Sequence, residues 1–295
     1  MTTATLPARG RAAPRQRWSR DEWIARAMML GAMALLLTFL IAPLFSILVN
    51  AVLDKEGNFA GLAHFSAYFE TPSLLRAAFN SVWVALAVVL VSVPTAFVCA
   101  YALTRTSLPG PFKATVRLIA LIPLLAPSLL SAISFVQWFG NQGVLKFLLG
   151  DFSIYGAPGI ILAEVYNTFP HALMILVTAL SLADGRLYEA ATALRTPPWR
   201  QFLTITLPSS KYGLISACTV VFTYVVSDFG APKVIGGNFN VLSVDVYKQV
   251  VGQLNFSMGA VVGMLLLVPS IVSFAIDYTV RRKIKAQLTA RSVPF

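Results

Sequence analysis

Four polar side chains in or beside apolar stretches of the sequence have the types and spacing for chemistry inside a membrane. Glu164, Asn167 and His171 are spaced i, i+3 and i+7, which places them on one face of a helix. Asp228 follows a later apolar block. A carboxylate within a membrane helix is costly, and it usually faces a bundle interior or a water-filled path. These four residues are the predicted substrate path, in which Glu164 meets a cationic group. The alternative places Glu164 near the outer headgroups and lets His171 bond only a neighbouring helix.

Motifs for enzyme chemistry are missing from the sequence. No glycine is followed by lysine, which excludes a phosphate-binding loop of the Gly-Lys-Ser/Thr type. There is no Gly-x-Ser-x-Gly, no His-Glu-x-x-His and no Cys-x-x-Cys. Cys99 and Cys218 both lie in apolar blocks and predict neither a disulfide nor a metal framework. We therefore predict no catalytic residue, no metal site and no cofactor in this chain.

The composition is that of a chain solvated mostly by lipid. Hydrophobic residues make up 57% of the 295 positions and charged residues only 12%, against about 25% charged in an average soluble domain. Six apolar blocks predict six transmembrane helices, at about residues 27–53, 77–104, 118–139, 158–183, 213–227 and 259–278. The third block contains Pro123 and Pro127, which a helix bundle is able to accommodate. Glycines and a proline in 228–237 predict a broken, re-entrant segment. The fold class is an all-α integral membrane bundle.

The distribution of basic residues predicts the orientation. With both termini in the cytoplasm, 18 of the 23 Lys and Arg residues lie on the inner side. This bias accounts for the net charge of +11 through contact with anionic lipid, and no nucleic-acid partner is needed to explain it. Residues 1–26 and 281–295 are predicted as basic cytoplasmic tails, the first of them disordered. Residues 27–280 form the predicted membrane domain.

The cytoplasmic loop 184–211 is longer than a simple tether. Its first part favours a short helix around Glu189, and Pro197-Pro198 is expected to end that helix. Leu207-Pro208 is then expected to open the next span. Apolar side chains in this loop need lipid headgroups or a partner protein to cover them. An amphipathic helix on the membrane surface is the alternative to a partner-binding helix.

The loop resembles the coupling motif of permease subunits in binding-protein-dependent ABC importers. Glu189-Ala190-Ala191 matches the family's Glu-Ala-Ala, Leu194 is in the same helix, and Leu207-Pro208 matches the closing Leu-Pro. The family's glycine falls at Arg195, and Pro197-Pro198 is able to supply a turn instead.

The resemblance implies a type I, MetI-like permease fold in a bacterial inner membrane, with the loop docked on a separate ATPase subunit. It also implies a dimer of ATPase subunits that use the ATP, a second permease subunit and an extracytoplasmic solute-binding protein.

The expected function is one half of the translocation pathway of an ATP-driven importer. Residues 227–249 are similar to permeases for ferric iron, polyamines and 2-aminoethylphosphonate, with the aminoethylphosphonate group the nearest of these. The alternative is a stand-alone secondary carrier or a membrane enzyme that uses Glu164, His171 and Asp228. Such a carrier has no need of a docking helix at Glu189.

Overall fold

The computed structural model describes residues 19–54 and 56–287. Eleven helices are distinguished in this part of the chain: α1 (Arg20–Asn50), α2 (Ala63–Glu70), α3 (Pro72–Arg105), α4 (Gly110–Leu121), α5 (Ser128–Phe139), α6 (Ala157–Ser181), α7 (Gly185–Ala193), α8 (198–227), α9 (Gly230–Ile235), α10 (Leu242–Tyr247) and α11 (Phe256–Gln287). Short 3-10 segments follow α4 at Ile122–Leu125 and lie at Lys146–Leu148, and π-helical turns lie at Leu37–Ile41, Phe202–Thr206 and Lys248–Gly252. The β pairing in the described ranges is a single bridge between Leu53 and Phe59.

The first compact unit of the chain is Met1–Ser46. Its helix begins at Arg20 because Ser19 and Glu22 form a capping box, in which each backbone N–H donates to the other side chain. The prediction of a disordered tail is therefore wrong for residues 20–26, and residues 1–18 lie outside the described part. None of the α1 residues is buried, and Phe39 is 76% exposed. Apolar surface of this extent requires lipid or protein around it.

The second unit, Ile47–Phe295, is built around three long helices that pack on one another. Val88 of α3, Leu176 of α6 and Val221 of α8 have no exposed surface. A second core lies between α2, α10 and α11 and contains Tyr68 and Val261. The outer surfaces of the same helices carry many exposed apolar side chains, which is the pattern of a bundle that faces lipid.

The membrane spans differ from the predicted six in one clear respect. Residues 110–125 and Ser128–Phe139 are separated by a bend of 102°, so the third predicted block is not one continuous helix. Ala126 is extended because Pro127 follows it, and prolines at 123 and 127 cannot donate the hydrogen bonds that a helix needs.

Within the part of the chain that the structure describes, four helical stretches are long and apolar enough to span a membrane: Arg20–Asn50, Pro72–Arg105, Ala157–Ser181 and Phe256–Val280. The bent pair makes a fifth if it counts as one span. The predicted span at 213–227 lies within the longer helix α8, and the count of six stays a prediction, as do the cytoplasmic termini. Residues 281–287, predicted as tail, continue α11, and residues 288–295 lie outside the described part.

The predicted break after α8 consists of the two short helices α9 and α10. A Cβ atom at Gly230 would lie 2.4 Å from Ser128 Oγ and 2.6 Å from the Leu129 nitrogen. Only glycine allows α9 and α5 to start so close together. This contact brings Asp228, at the end of α8, next to the first residue of α5.

Candidate functional site

The loop helix α7 is the first part of the candidate site. Asp184 caps it by accepting a hydrogen bond from the Arg186 backbone nitrogen at 3.1 Å. Ala191 is buried, whereas Glu189 and Ala190 of the same motif are exposed. Leu194, just after the helix, is 80% exposed. The helix therefore packs one narrow face on the bundle and leaves its charged residues and an apolar end uncovered.

Arg195 ends α7 in the left-handed region of backbone space, with φ of +51°. Its backbone nitrogen donates to the Thr192 carbonyl at 2.9 Å, and the Thr196 nitrogen donates to the Ala191 carbonyl at 2.9 Å. This is a Schellman motif, which glycine normally closes. The turn is thus made at Arg195 itself, and the expectation that Pro197-Pro198 would replace it is wrong.

The helix after the loop starts nine residues before Leu207, where the next span was predicted to open. It begins at Pro198, because a proline at the first helical position has no hydrogen bond to lose. Leu207-Pro208 lies inside this helix. The π-helical turn at Phe202–Thr206 directly precedes Leu207, and such a turn is one of the ways a helix accommodates a proline. Residues 198–206 therefore extend the next helix toward α7.

Tyr188 connects α7 to two other helices. Its hydroxyl lies 3.0 Å from Thr206 Oγ1 at the π-helical turn of α8. The guanidinium of Arg105, the last residue of α3, lies 4.2 Å from the centre of the Tyr188 ring, which is a cation–π contact. Arg105 also donates to the Leu180 carbonyl of α6 at 2.7 Å. Tyr188 therefore connects α7 directly to α3 and α8, and through Arg105 to α6.

A cavity of about 610 Å³ lies beneath α7. Arg105, Tyr188, Glu189 and Thr206 are among the residues that line it, together with Tyr101. No sequence pattern predicted Arg105, Tyr188 or Thr206 as site residues. In the sequence, Arg105 was counted only among the basic residues predicted on the cytoplasmic side. Tyr188 was not predicted because its contacts form only where three separate helices meet.

The second part of the candidate site is the predicted polar face of α6. Glu164 is 0% exposed and Asn167 3% exposed, while His171 is half-buried. His171 Nδ1 lies 3.2 Å from the Asn167 carbonyl, and its ring lies 5.1 Å from the ring of Tyr224 on α8. Glu164 thus lies in the interior of the chain, and its role in a substrate path stays a prediction.

Asp228 lies beside this face, at the end of α8. Its Oδ1 accepts from Ser128 Oγ at 2.6 Å, and its Oδ2 accepts from the Ala231 nitrogen at 2.9 Å. Lys233, five residues after Asp228, places its ammonium 4.3 Å from the centre of the Tyr247 ring. The structure brings Glu164 and Asp228 together, and the predicted coupling residues lie separately in the loop 184–211. Ser128 was missed because no pattern near it predicted its contact with Asp228.

Comparison with known proteins assigns the chain to a family. The family described as "Binding-protein-dependent transport system inner membrane component" matches residues 92–286, which include both parts of the candidate site. The chain belongs to this family. It is accordingly a bacterial inner-membrane permease component, and family membership supports the prediction that it is not an enzyme.

Individual relatives agree with this assignment. The permease is 27% identical over 266 residues to the "Putative ferric transport system permease protein FbpB 1" of Haemophilus influenzae, covering 88% of this chain and 41% of that protein. It is 28% identical over 203 residues to the molybdenum permease ModB of Azotobacter vinelandii, covering 66% and 88%. The permease spans about two fifths of the length of the ferric relatives it matches.

Solved structures agree on the fold. A bacterial alginate ABC transporter, crystallised with its periplasmic protein bound to alginate pentasaccharide, matches with a TM-score of 0.70 at 17% identity, covering 93% of this chain and 98% of that chain. The MetNI methionine transporter matches with a TM-score of 0.57. The all-α, MetI-like permease fold is therefore confirmed.

The strained turn at Arg195 gives a first prediction. A left-handed conformation costs a non-glycine residue about 1 kcal/mol, so Arg195→Gly relieves a cost that Arg195→Ala retains. Both variants lose the same guanidinium. We expect the glycine variant to have the higher thermal unfolding midpoint in detergent, by a few degrees. An alanine variant at least as stable as the glycine variant would show that the turn carries no strain.

Proposed function

We propose that this chain is the permease subunit of an ATP-driven importer and forms half of its translocation pathway. The observation that supports this most strongly is the contact of Tyr188 with Thr206 and Arg105. It connects an exposed, Glu-Ala-Ala-containing helix to three helices of the membrane bundle. A helix that only lay on lipid headgroups would have no need of such connections.

The partner that covers α7 in this proposal is a separate ATPase subunit, present as a dimer. Glu189, Ala190 and Leu194 are exposed and form the contact surface, with Arg195 at its end. Closure of the ATPase pair on ATP moves α7, and the Tyr188 contacts carry that movement to α3 and α8. The membrane helices then change between inward-open and outward-open arrangements.

Two further partners complete the transporter in this proposal. A second permease chain, identical or homologous, supplies the other half of the pathway. The ferric relatives are more than twice as long as the matched segment, which leaves room in each for a second such unit. A solute-binding protein outside the membrane delivers the solute, in keeping with the family description.

The solute of the proposed importer is ferric iron, 2-aminoethylphosphonate or a polyamine. Ferric iron is favoured by the names of two relatives, each of which matches 88% of this chain. 2-Aminoethylphosphonate is supported only by the resemblance of residues 227–249. A polyamine is the third possibility.

The membership of the chain in a family of permeases does not favour a stand-alone carrier that uses Glu164, His171 and Asp228.

The coupling role of Glu189 is tested by charge reversal. Glu189→Lys should abolish solute uptake while membrane insertion stays normal. The positive charge on the exposed loop would repel the ATPase subunit or shift the position at which it binds. Uptake of labelled solute and the amount of chain in the membrane are measured together. Glu56→Lys, also an exposed glutamate but outside α7, is the matched control and should transport normally. Normal uptake by Glu189→Lys would contradict the coupling proposal.

The solute is tested by deletion and competition. Cells that lack the chain should lose uptake of radioactive ferric iron, and 2-aminoethylphosphonate should not compete with iron in the wild type. Loss of 2-aminoethylphosphonate uptake with normal iron uptake would contradict the iron assignment and favour the phosphonate. Retention of both would exclude both solutes and direct the test to polyamines.

A further inference from the structure

Two polar side chains in the interior of the bundle lack hydrogen-bond partners. Both carboxylate oxygens of Glu164, and the nitrogen and oxygen of the Asn167 amide, make no hydrogen bond to any described residue. The two residues are 0% and 3% exposed. A buried polar group without a partner costs about 1–3 kcal/mol, and a charged group costs more. No described residue satisfies the Asn167 amide, and the chain offers Glu164 only the neighbouring carboxyl group of Asp228.

A second carboxylate faces the first. Asp228 is within hydrogen-bonding reach of Glu164, provided that one of the two carries a proton. Tyr224, one turn before Asp228 on α8, lies close to both carboxylates. Its ring also lies, tilted by 44°, against the ring of His171, which is one turn beyond Asn167 on α6. The α6 face from 164 to 171 therefore packs against the end of α8, and Asn167 lies between the two ends of that contact.

The charges of this pair are not balanced within the described part of the chain. No described lysine or arginine donates a hydrogen bond to Glu164. Lys233 is held over the Tyr247 ring, and Arg105 bonds the Leu180 carbonyl, about four turns further along α6. Ser128 and the Ala231 backbone nitrogen compensate Asp228 in part through their hydrogen bonds. Glu164 receives no such compensation.

We propose that Glu164, Asn167 and Asp228 form a binding site for one compact monovalent cation. The cation is an inorganic ion of the size of sodium or a primary ammonium group. Carboxylate and amide oxygens are hard ligands that suit such ions. The single positive charge of the cation offsets the negative charge of Glu164. Asp228 needs no second cation, because it already accepts hydrogen bonds from two donors.

The same residues argue against a larger charge at this position. No group of three or more His, Cys, Asp or Glu side chains able to hold a metal ion occurs within residues 19–54 and 56–287. Calcium takes six to eight oxygen ligands, more than this site supplies. The cation site lies within a single chain, so it does not depend on the proposed ATPase contact or on the identity of the solute.

The site is tested by cation-dependent stability of the purified full chain in detergent. Thermal unfolding is followed by tryptophan fluorescence in sodium chloride, methylammonium chloride or choline chloride at constant ionic strength. Choline is too bulky for a closed site. The unfolding midpoint of the wild type should rise by several degrees, with saturation, in sodium or methylammonium relative to choline. A response to sodium alone identifies an inorganic ion, and a response to methylammonium alone identifies an ammonium group.

Variants show whether the response belongs to these residues. Glu164→Gln should have the same midpoint in all three salts. Asp277→Asn removes another carboxylate of the bundle, one that accepts a hydrogen bond from Ser216, and should keep the wild-type response. Asn167→Leu retains the charges of Glu164 and Asp228 and should need at least about tenfold more cation for the same shift of the unfolding midpoint. This variant also tests the site if Glu164→Gln does not fold.

Three results would overturn the proposal. The first is a wild-type midpoint equal in all three salts, which is the result expected if a shared proton satisfies the two carboxylates. The second is an undiminished cation response in Glu164→Gln, and the third is an unchanged cation requirement in Asn167→Leu.

Discussion

The structure depends on one constraint: a chain solvated by lipid must satisfy its polar groups internally. The long helices satisfy their backbones, and hydroxyl side chains bond carbonyls three or four residues earlier, as Thr104 does with Ala100. Thr168 also donates to Ser92 across the packed helices α6 and α3. Against this background the unpartnered oxygens of Glu164 and the unpartnered amide of Asn167 are informative, because hydroxyl side chains such as Thr104 and Thr168 are satisfied by simple means.

The same constraint explains where the backbone departs from regular helix. Pro127 and Gly230 lie where two helices begin close together, and Asp228 accepts from both the Ser128 hydroxyl and the Ala231 nitrogen in that region. At the other end of α8, the π-helical turn before Leu207 places Thr206 within reach of Tyr188. The irregular segments thus carry both parts of the candidate site, and the long regular helices hold them in place.

Much of this architecture was predictable from composition and spacing. The apolar blocks gave the positions of α1, α3, α6 and α11, and the Glu-Ala-Ala motif gave the exposed helix α7. The right-angle bend between α4 and α5 was missed because prolines in membrane helices are compatible with either a kink or a complete break. The start of α8 at Pro198 was missed because two consecutive prolines were interpreted as a turn, although the second fits the first turn of a helix.

The candidate site was predictable only in part, since its contacts join residues far apart in sequence. Spacing placed Glu164 and Asn167 on one helix face, but not the approach of Asp228. The departure from the family's glycine at Arg195 was visible in the sequence. Its consequence, a left-handed arginine that closes α7, required backbone geometry. Tyr188 carries no local signal at all, because its partners come from the ends of α3 and α8.

The central claim is that α7 contacts an ATPase subunit, and site-specific photocrosslinking tests it most directly. A photoreactive amino acid is placed at Leu194, which is 80% exposed beside α7, or at Leu90, which is 76% exposed in the middle of α3. After illumination of native membranes, crosslinked products are identified by mass spectrometry. The account predicts an ATPase subunit crosslinked from position 194 and none from position 90. Lipid adducts alone from position 194 would contradict it and would make α7 a membrane-surface helix.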